Sequence, residues 1–189
     1  MISIMSDWIE ALGALLGPEK EVDAGSFLFR QGDAVSHMYI VRSGCVHLVR
    51  WGENGSSAVM QRAEAPAALA ESSVFSPAYH CDGVCVTDAK VARAGIAEVR
   101  EALESDPALL RKLTGHLARE VQRTRSRLEL LRRRTVADRL DGWLALNDGV
   151  LPLRGQWRGV AEDIGVSPEA FYRELQRRRR PQSGLRSSS

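Results

Sequence analysis

The chain is short of thiols. Its three cysteines, Cys45, Cys81 and Cys85, are too few and too unevenly spaced among 189 residues for a disulfide framework. An iron–sulfur cluster normally takes more thiolates than they supply. No run approaches the roughly eighteen consecutive apolar residues that argue for a membrane-spanning helix. Residues 1–16 carry Asp7 and Glu10 and no basic stretch ahead of an apolar one. A secretory leader is therefore not expected, and the cytoplasm is the default compartment. The histidines His37, His47, His80 and His116 form no H-x-H pair, unlike the clustered histidines of metal-holding barrels. No Ser/His/Asp set or phosphate-cradling glycine loop stands out either. Neither an enzyme nor a metal site is expected.

What is present is ordinary in amount and uneven in placement. Hydrophobic residues make up 44% and charged residues 26%, which are globular values. The formal net charge of +2 hides a division. Residues 1–99 hold 12 acidic against 7 basic side chains, a net −5, and residues 100–189 hold 12 against 19, a net +7. Only the second half is suited to a polyanion. Arginine outnumbers lysine 23 to 3, which genome composition explains as readily as function.

Along the chain, residues 7–16 place Trp8, Ile9, Leu12, Leu15 and Leu16 at helical spacing, and Gly17-Pro18 ends the pattern. Short β-prone runs follow at 27–29, 38–41, 45–51, 58–61, 84–87 and 91–94. Glycines 25, 32, 44, 52 and 55 stand at the corners that an antiparallel roll needs. Asn54-Gly55 is the sharpest turn signal, since a tight hairpin requires positive φ. Asp106-Pro107 then opens a long helix, with Asp as cap and Pro at the first position. Leu110, Leu113, Leu117, Val121, Thr124, Leu128 and Leu131 recur along it at spacings of three and four, flanked by charge. A narrow stripe of this kind is the seam of a two-stranded coiled coil, so a homodimer is expected. Arg132-Arg133-Arg134 leads to Thr135 and Asp138, which have capping-box spacing for a further helix.

The most informative stretch is 157–175. It predicts a helix to about Ile164, a turn at Gly165-Val166, and a second helix capped by Ser167 with Pro168 at its first position. Val160, Ala161 and Ile164 face Val166, Ala170, Phe171 and Leu175. This is a helix-turn-helix in a basic context. Glu169 and Arg173, four apart, project near the N-terminal end of the second helix, the end that enters a major groove. Arg can contact guanine in bidentate fashion, and Glu can accept from cytosine. Arg158, Arg177 and Arg178 are candidates for phosphate contacts, which position without reading sequence.

Taken together these segments resemble the family of the cyclic-AMP receptor protein and the fumarate–nitrate regulators. The likeness rests on Ala24-Gly-Ser-Phe-Leu-Phe-Arg-Gln-Gly-Asp33, Met38-Tyr-Ile-Val-Arg-Ser-Gly44 and Val46-His-Leu-Val. It continues in Val160-Ala-Glu-Asp-Ile-Gly-Val-Ser, then Glu169 and Arg173, in family order over roughly residues 22 to 178. The resemblance implies an α+β fold. Its parts are an N-terminal antiparallel β-roll of the cyclic-nucleotide-binding type (1–105), a long dimerisation helix (106–134), and a C-terminal helix-turn-helix of winged-helix type (135–180). A polar tail (181–189) is expected to be disordered. It also implies that Glu169 and Arg173 read bases, that Ser167 belongs to the DNA-binding surface, and that double-stranded DNA, a second copy and RNA polymerase are partners. Pro168 stands where the family often has Arg, and little chain follows the recognition helix to build a wing.

The effector pocket departs further from the family. Residues 66–75 resemble its phosphate-binding helix, with Glu71 at the position of the acid that holds a ribose hydroxyl. Where nucleotide-binding members place Arg beside Ser or Thr, this chain has Cys81-Asp82, and residues 79–83 contain no Arg. A carboxylate facing a phosphate repels it, and the bidentate contact is lost. Cyclic AMP is not expected as effector unless another arginine, such as Arg42 or Arg62, supplies the charge. No cofactor is expected. Haem held through His80, or a thiol switch at the cysteines, stays open beside the plainer reading of buried strand cysteines and a surface histidine.

Overall fold

A computed structural model describes residues 8–52 and 55–179. Asp7 at the start of the first expected helix, Asn54 of the expected Asn-Gly turn, and the tail lie outside the described residues. The chain forms two compact units that divide after Ala118, within the long helix.

In the first unit, helical residues 8–11 bury Trp8 and Ile9, and Leu12 follows them into the core. Eight strands come next: β1 (Lys20–Val22), β2 (Phe27–Phe29), β3 (His37–Ser43), β4 (Cys45–Trp51), β5 (Ser57–Glu64), β6 (Ala67–Leu69), β7 (Asp82–Cys85) and β8 (Ala89–Gly95). They form two four-stranded sheets, ordered β1-β8-β3-β6 and β2-β7-β4-β5, with every pairing antiparallel. Met38, Ile40, Val41, Val46 and Leu69 are fully buried in the one core of this unit. The β4–β5 register shifts at Leu48/Val49. The extra residue is Met60 of β5, while β4 stays in register with β7. Gly44 shows why one corner must be glycine: its φ is +82°, and a β-carbon there would collide with the Asp88 carbonyl.

Three features differ from the sequence expectation. Strand β7 begins two residues early, because Asp82 pairs with Val49 and Cys85 with Val46. The helix expected over 66–75 is instead strand β6, paired with β3, followed by a single 3₁₀ turn at Glu71–Ser73. A helix not anticipated, α1 (Ile96–Ser105), buries Ile96, Val99 and Leu103 on one face.

The long helix, α2 (Pro107–Arg132), opens as expected. The Asp106 carboxylate accepts from the N–H groups of Ala108 (2.8 Å) and Leu109 (3.2 Å). Its stripe needs one correction. Leu113 is only 1% exposed, in the core of its own unit, with Leu117 packed at the margin. Leu110, Val121, Leu128 and Leu131 are 38–51% exposed. Their spacing continues through exposed Thr114, one residue beyond Leu113.

The second unit contains α3 (Val136–Leu146), α4 (Trp157–Asp163) and α5 (Pro168–Arg179), with no strand among its described residues. Thr135 caps α3: its hydroxyl accepts from the Asp138 N–H at 3.0 Å and donates to the Asp138 carboxylate at 2.6 Å. Leu140, Val160, Ala161, Ile164, Phe171 and Leu175 form the core with Trp157. Leu130, on the C-terminal turns of α2, packs against Gly142, where a β-carbon would collide with it.

Candidate nucleic-acid interface

The turn between α4 and α5 sets the angle at which α5 is presented. Helix α4 ends with the Val166 N–H donating to the Ala161 carbonyl (2.9 Å) and the Gly165 N–H to that of Glu162 (3.1 Å). These are the paired bonds of a Schellman cap, which needs a left-handed residue, and Gly165 has φ +63°. A β-carbon at Gly165 would press on the Leu131 side chain. Arg139 of α3 donates to the carbonyls of Ile164 and Gly165, both at 3.1 Å. It places a cation at the negative end of α4.

Ser167 then starts α5, its hydroxyl accepting from the Ala170 N–H at 3.2 Å. Phe171 and Leu175 anchor the helix in the core, which leaves Glu169, Arg173, Gln176 and Arg177 exposed. Its own backbone N–H, the Ser167 hydroxyl and Arg173 together hold the Glu169 carboxyl below the usual range. Arg173 has no hydrogen-bond or ion-pair partner among the described residues, so its guanidinium is available to an incoming acceptor.

The remaining arginines are more engaged than their positions suggested. Glu174, 8% exposed, takes two bonds from Arg177 (2.8 and 2.9 Å) and one from Arg178 (2.7 Å). These arginines keep its carboxyl below the ordinary value. Arg178 also reaches the Asp141 carboxylate (2.6 Å) and the Ala137 carbonyl (3.0 Å), so it ties α5 to α3. Arg177 keeps its outer edge in solvent, with 69% of its side chain exposed. Arg158 is 77% exposed and lies 3.4 Å from Glu162.

In the first unit, the expected pocket residues do come together. Glu71 is buried at the start of the 3₁₀ turn, and Ser73 Oγ lies 3.1 Å from His80 Nδ1. The Asp82 carboxylate is buried and accepts from the Gln31 N–H (2.7 Å) and the Trp51 indole (2.9 Å). Arg42 pairs with Glu19 at 3.6 Å. A cation at this site is Arg50 of β4, whose guanidinium donates to the His80 carbonyl at 3.1 and 3.3 Å. Burial, reinforced by Arg50, lowers the His80 pKa. Burial raises the Cys81 thiol, with Arg50 opposing and Asp82 and Glu71 adding to the rise. Cys45 and Cys85 are raised by burial as well, and all three thiols are free. Thiolate is the reactive form, so these sites are poorly set for a thiol switch.

The β-roll and the helix-turn-helix can each be compared with known proteins. Residues 19–106 match the cyclic nucleotide-binding domain. The fold is similar to that of FixK2 from Bradyrhizobium japonicum, with 19% identity, a TM-score of 0.66, and 85% of this chain and 83% of that one covered. It is also similar to CLP of Xanthomonas campestris, a global regulator responsive to c-di-GMP (18% identity, TM-score 0.61, 91% and 90% covered). The catabolite activator protein of Thermus thermophilus aligns over 93% of this chain and 84% of its own, with 19% identity and a TM-score of 0.54. No curated protein sequence matches. The first unit thus contains a cyclic nucleotide-binding-type domain, and the chain has the fold of these three proteins.

Proposed function

We propose that this chain is a DNA-binding transcription regulator that reads an inverted-repeat site as a homodimer, with RNA polymerase as a further partner. The observation that carries the reading is Arg173. It is exposed near the start of α5, four residues beyond Glu169, on the face opposite buried Phe171 and Leu175. Glu169 and Arg173 are assigned to base edges. Arg158 and the outer edge of Arg177 are assigned to phosphates, and Ser167 holds the helix end that approaches the groove. Recognition helices one DNA turn apart place the half-sites about 34 Å from centre to centre.

The test is to select a site from random DNA, then titrate wild type, Arg173→Ala and Arg158→Ala at several salt concentrations. Loss of a bidentate base contact costs about 1–3 kcal/mol and relaxes preference at one base pair of each half-site. Loss of a phosphate contact weakens all sequences alike and makes the logarithmic salt slope shallower by about one unit. Full discrimination in Arg173→Ala would make that residue a phosphate clamp. A wild type without sequence preference would leave a bare sensor module.

The sensor is proposed not to take cyclic AMP. The buried Asp82 carboxylate stands where the phosphate contact is needed, and Arg50 is committed to a carbonyl. Calorimetry with cyclic AMP and cyclic GMP is expected to give no saturable heat. Micromolar binding would mean that Arg50 turns to the phosphate.

A further inference from the structure

A concavity of the first unit has neither Glu71 nor Asp82 in its lining. It is an open cleft of about 600 Å³ between the segment around Gly17 and the β1-β8-β3 sheet, and Lys20, His37, Arg93 and Glu98 line it. The register explains how the three basic groups meet. Lys20 pairs with Val91, Tyr39 with Arg93, and His37 with Gly95. Cross-strand partners share a face, as do residues two apart along β8. Lys20, Arg93 and His37 therefore rise from one side of the sheet. The Gly17 N–H donates to the Arg93 carbonyl at 2.9 Å and closes the rim.

These groups gather in an acidic half of the chain, where other cations are internally matched. Lys90 pairs with Glu21 at 3.2 Å, and Arg42 with Glu19 at 3.6 Å. Lys20 and Arg93 have no hydrogen-bond or ion-pair partner among the described residues. Glu98, the one carboxylate that lines the cleft among the described residues, folds back over Gly95, where a β-carbon would collide with it. Burial, then Arg93, and less strongly Lys20, hold the His37 imidazole below its ordinary pKa, with Glu98 opposing. Its Nδ1 lies 3.0 Å from Ser36 Oγ.

We propose that this cleft is a second ligand site, for a small phosphate-bearing anion held by Lys20, Arg93 and His37. Two full cations and an imidazole offer more donors than a carboxylate accepts, and they match the three oxygens and near-double charge of a phosphate monoester. The volume suits a small molecule, and every lining residue belongs to the first unit.

Calorimetry of the full chain with glycerol 3-phosphate tests it, with inorganic phosphate and acetate as parallel probes. Saturable binding is expected for glycerol 3-phosphate, and Lys20→Ala and Arg93→Ala are each expected to weaken it about tenfold. Glu98→Gln removes a like charge and is expected to tighten it, and the His37 ring resonances are expected to move with the same Kd. Equal binding of inorganic phosphate supports the site and confines recognition to the phosphate group. Equal binding of acetate overturns the assignment to phosphate. No saturable heat at about 10 mM, or a Kd indifferent to both alanine variants, overturns the site itself.

Discussion

Replacing Leu128 by Asp separates the proposed dimer seam from the internal packing of α2. Leu128 is 51% exposed in the single chain, so its substitution spares the monomer. Burying a whole leucine is worth about 1.5–3 kcal/mol, and the exposed half about 1 kcal/mol per chain. A twofold interface loses this twice, about 2 kcal/mol, or roughly thirtyfold in dimer Kd. Two facing carboxylates must also be desolvated or kept apart, which adds several kcal/mol and takes the total beyond roughly a thousandfold. Sedimentation equilibrium over a micromolar range reads this directly, with circular dichroism to show an unchanged helix content. Leu113→Ala is the control. At 1% exposure it removes core packing, so it is expected to cost about 2–5 kcal/mol of first-unit stability. The dimer Kd of the folded protein is expected to stay as it was. A Leu128→Asp protein that dimerises like wild type refutes the seam.

Three further outcomes are expected. Gly165→Ala forces an L side chain into a left-handed turn against Leu131 and is expected to cost about 1–2 kcal/mol in urea unfolding of the second unit, whereas a neutral result removes the Schellman turn. The Glu174 carboxyl is depressed by Arg177 and Arg178, so its stabilisation is present above the unfolded carboxylate pKa and lost as pH falls through the folded value. Urea midpoints between about pH 3 and 7 are expected to fall less steeply with acid in Glu174→Gln, and identical slopes refute the contribution. Cys81 and Cys85 are buried with raised pKa values, so alkylation at neutral pH is expected to be slow beside partly exposed Cys45, and rapid labelling of Cys81 contradicts the packing.

What the sequence conveyed and what it withheld follow the range of the interactions. Asp106, Thr135, Ser167 and Gly165 act within a few residues of themselves, and their cap and turn roles are legible from spacing alone. Strand β6 and the 3₁₀ turn after it were misread as a helix, because Ala67–Leu69 is strand by virtue of pairing with β3, some twenty-eight residues earlier. Helix α1 carried a readable signal in Ile96, Val99 and Leu103. Arg50, Arg139 and Glu174 were missed for a different reason: each looks like an ordinary solvated charge until the fold delivers its partner. Arg50 meets the carbonyl of residue 80, and Arg139 meets those of 164 and 165.

Glu174 also bears on which arginines are left to act. Helix α5 carries Arg173, Arg177, Arg178 and Arg179 within seven residues, and the sequence marks Arg173 for a base and Arg177 and Arg178 for phosphates. A carboxylate at 174 divides them further through helical geometry. It reaches Arg177 at i+3 and Arg178 at i+4, the two spacings that share a face. Arg178 is drawn further inward by Asp141. Arg179 stacks over Trp157 at 5.6 Å. Arg173 precedes Glu174 by one residue, a spacing that cannot meet it, so it stays on the Glu169 side of the helix. Neutralising the inner arginines lowers the indiscriminate attraction of α5 for phosphate. The proposed base-reading contact then supplies a larger share of the binding energy, which is what a sequence-selective reader requires of its recognition helix.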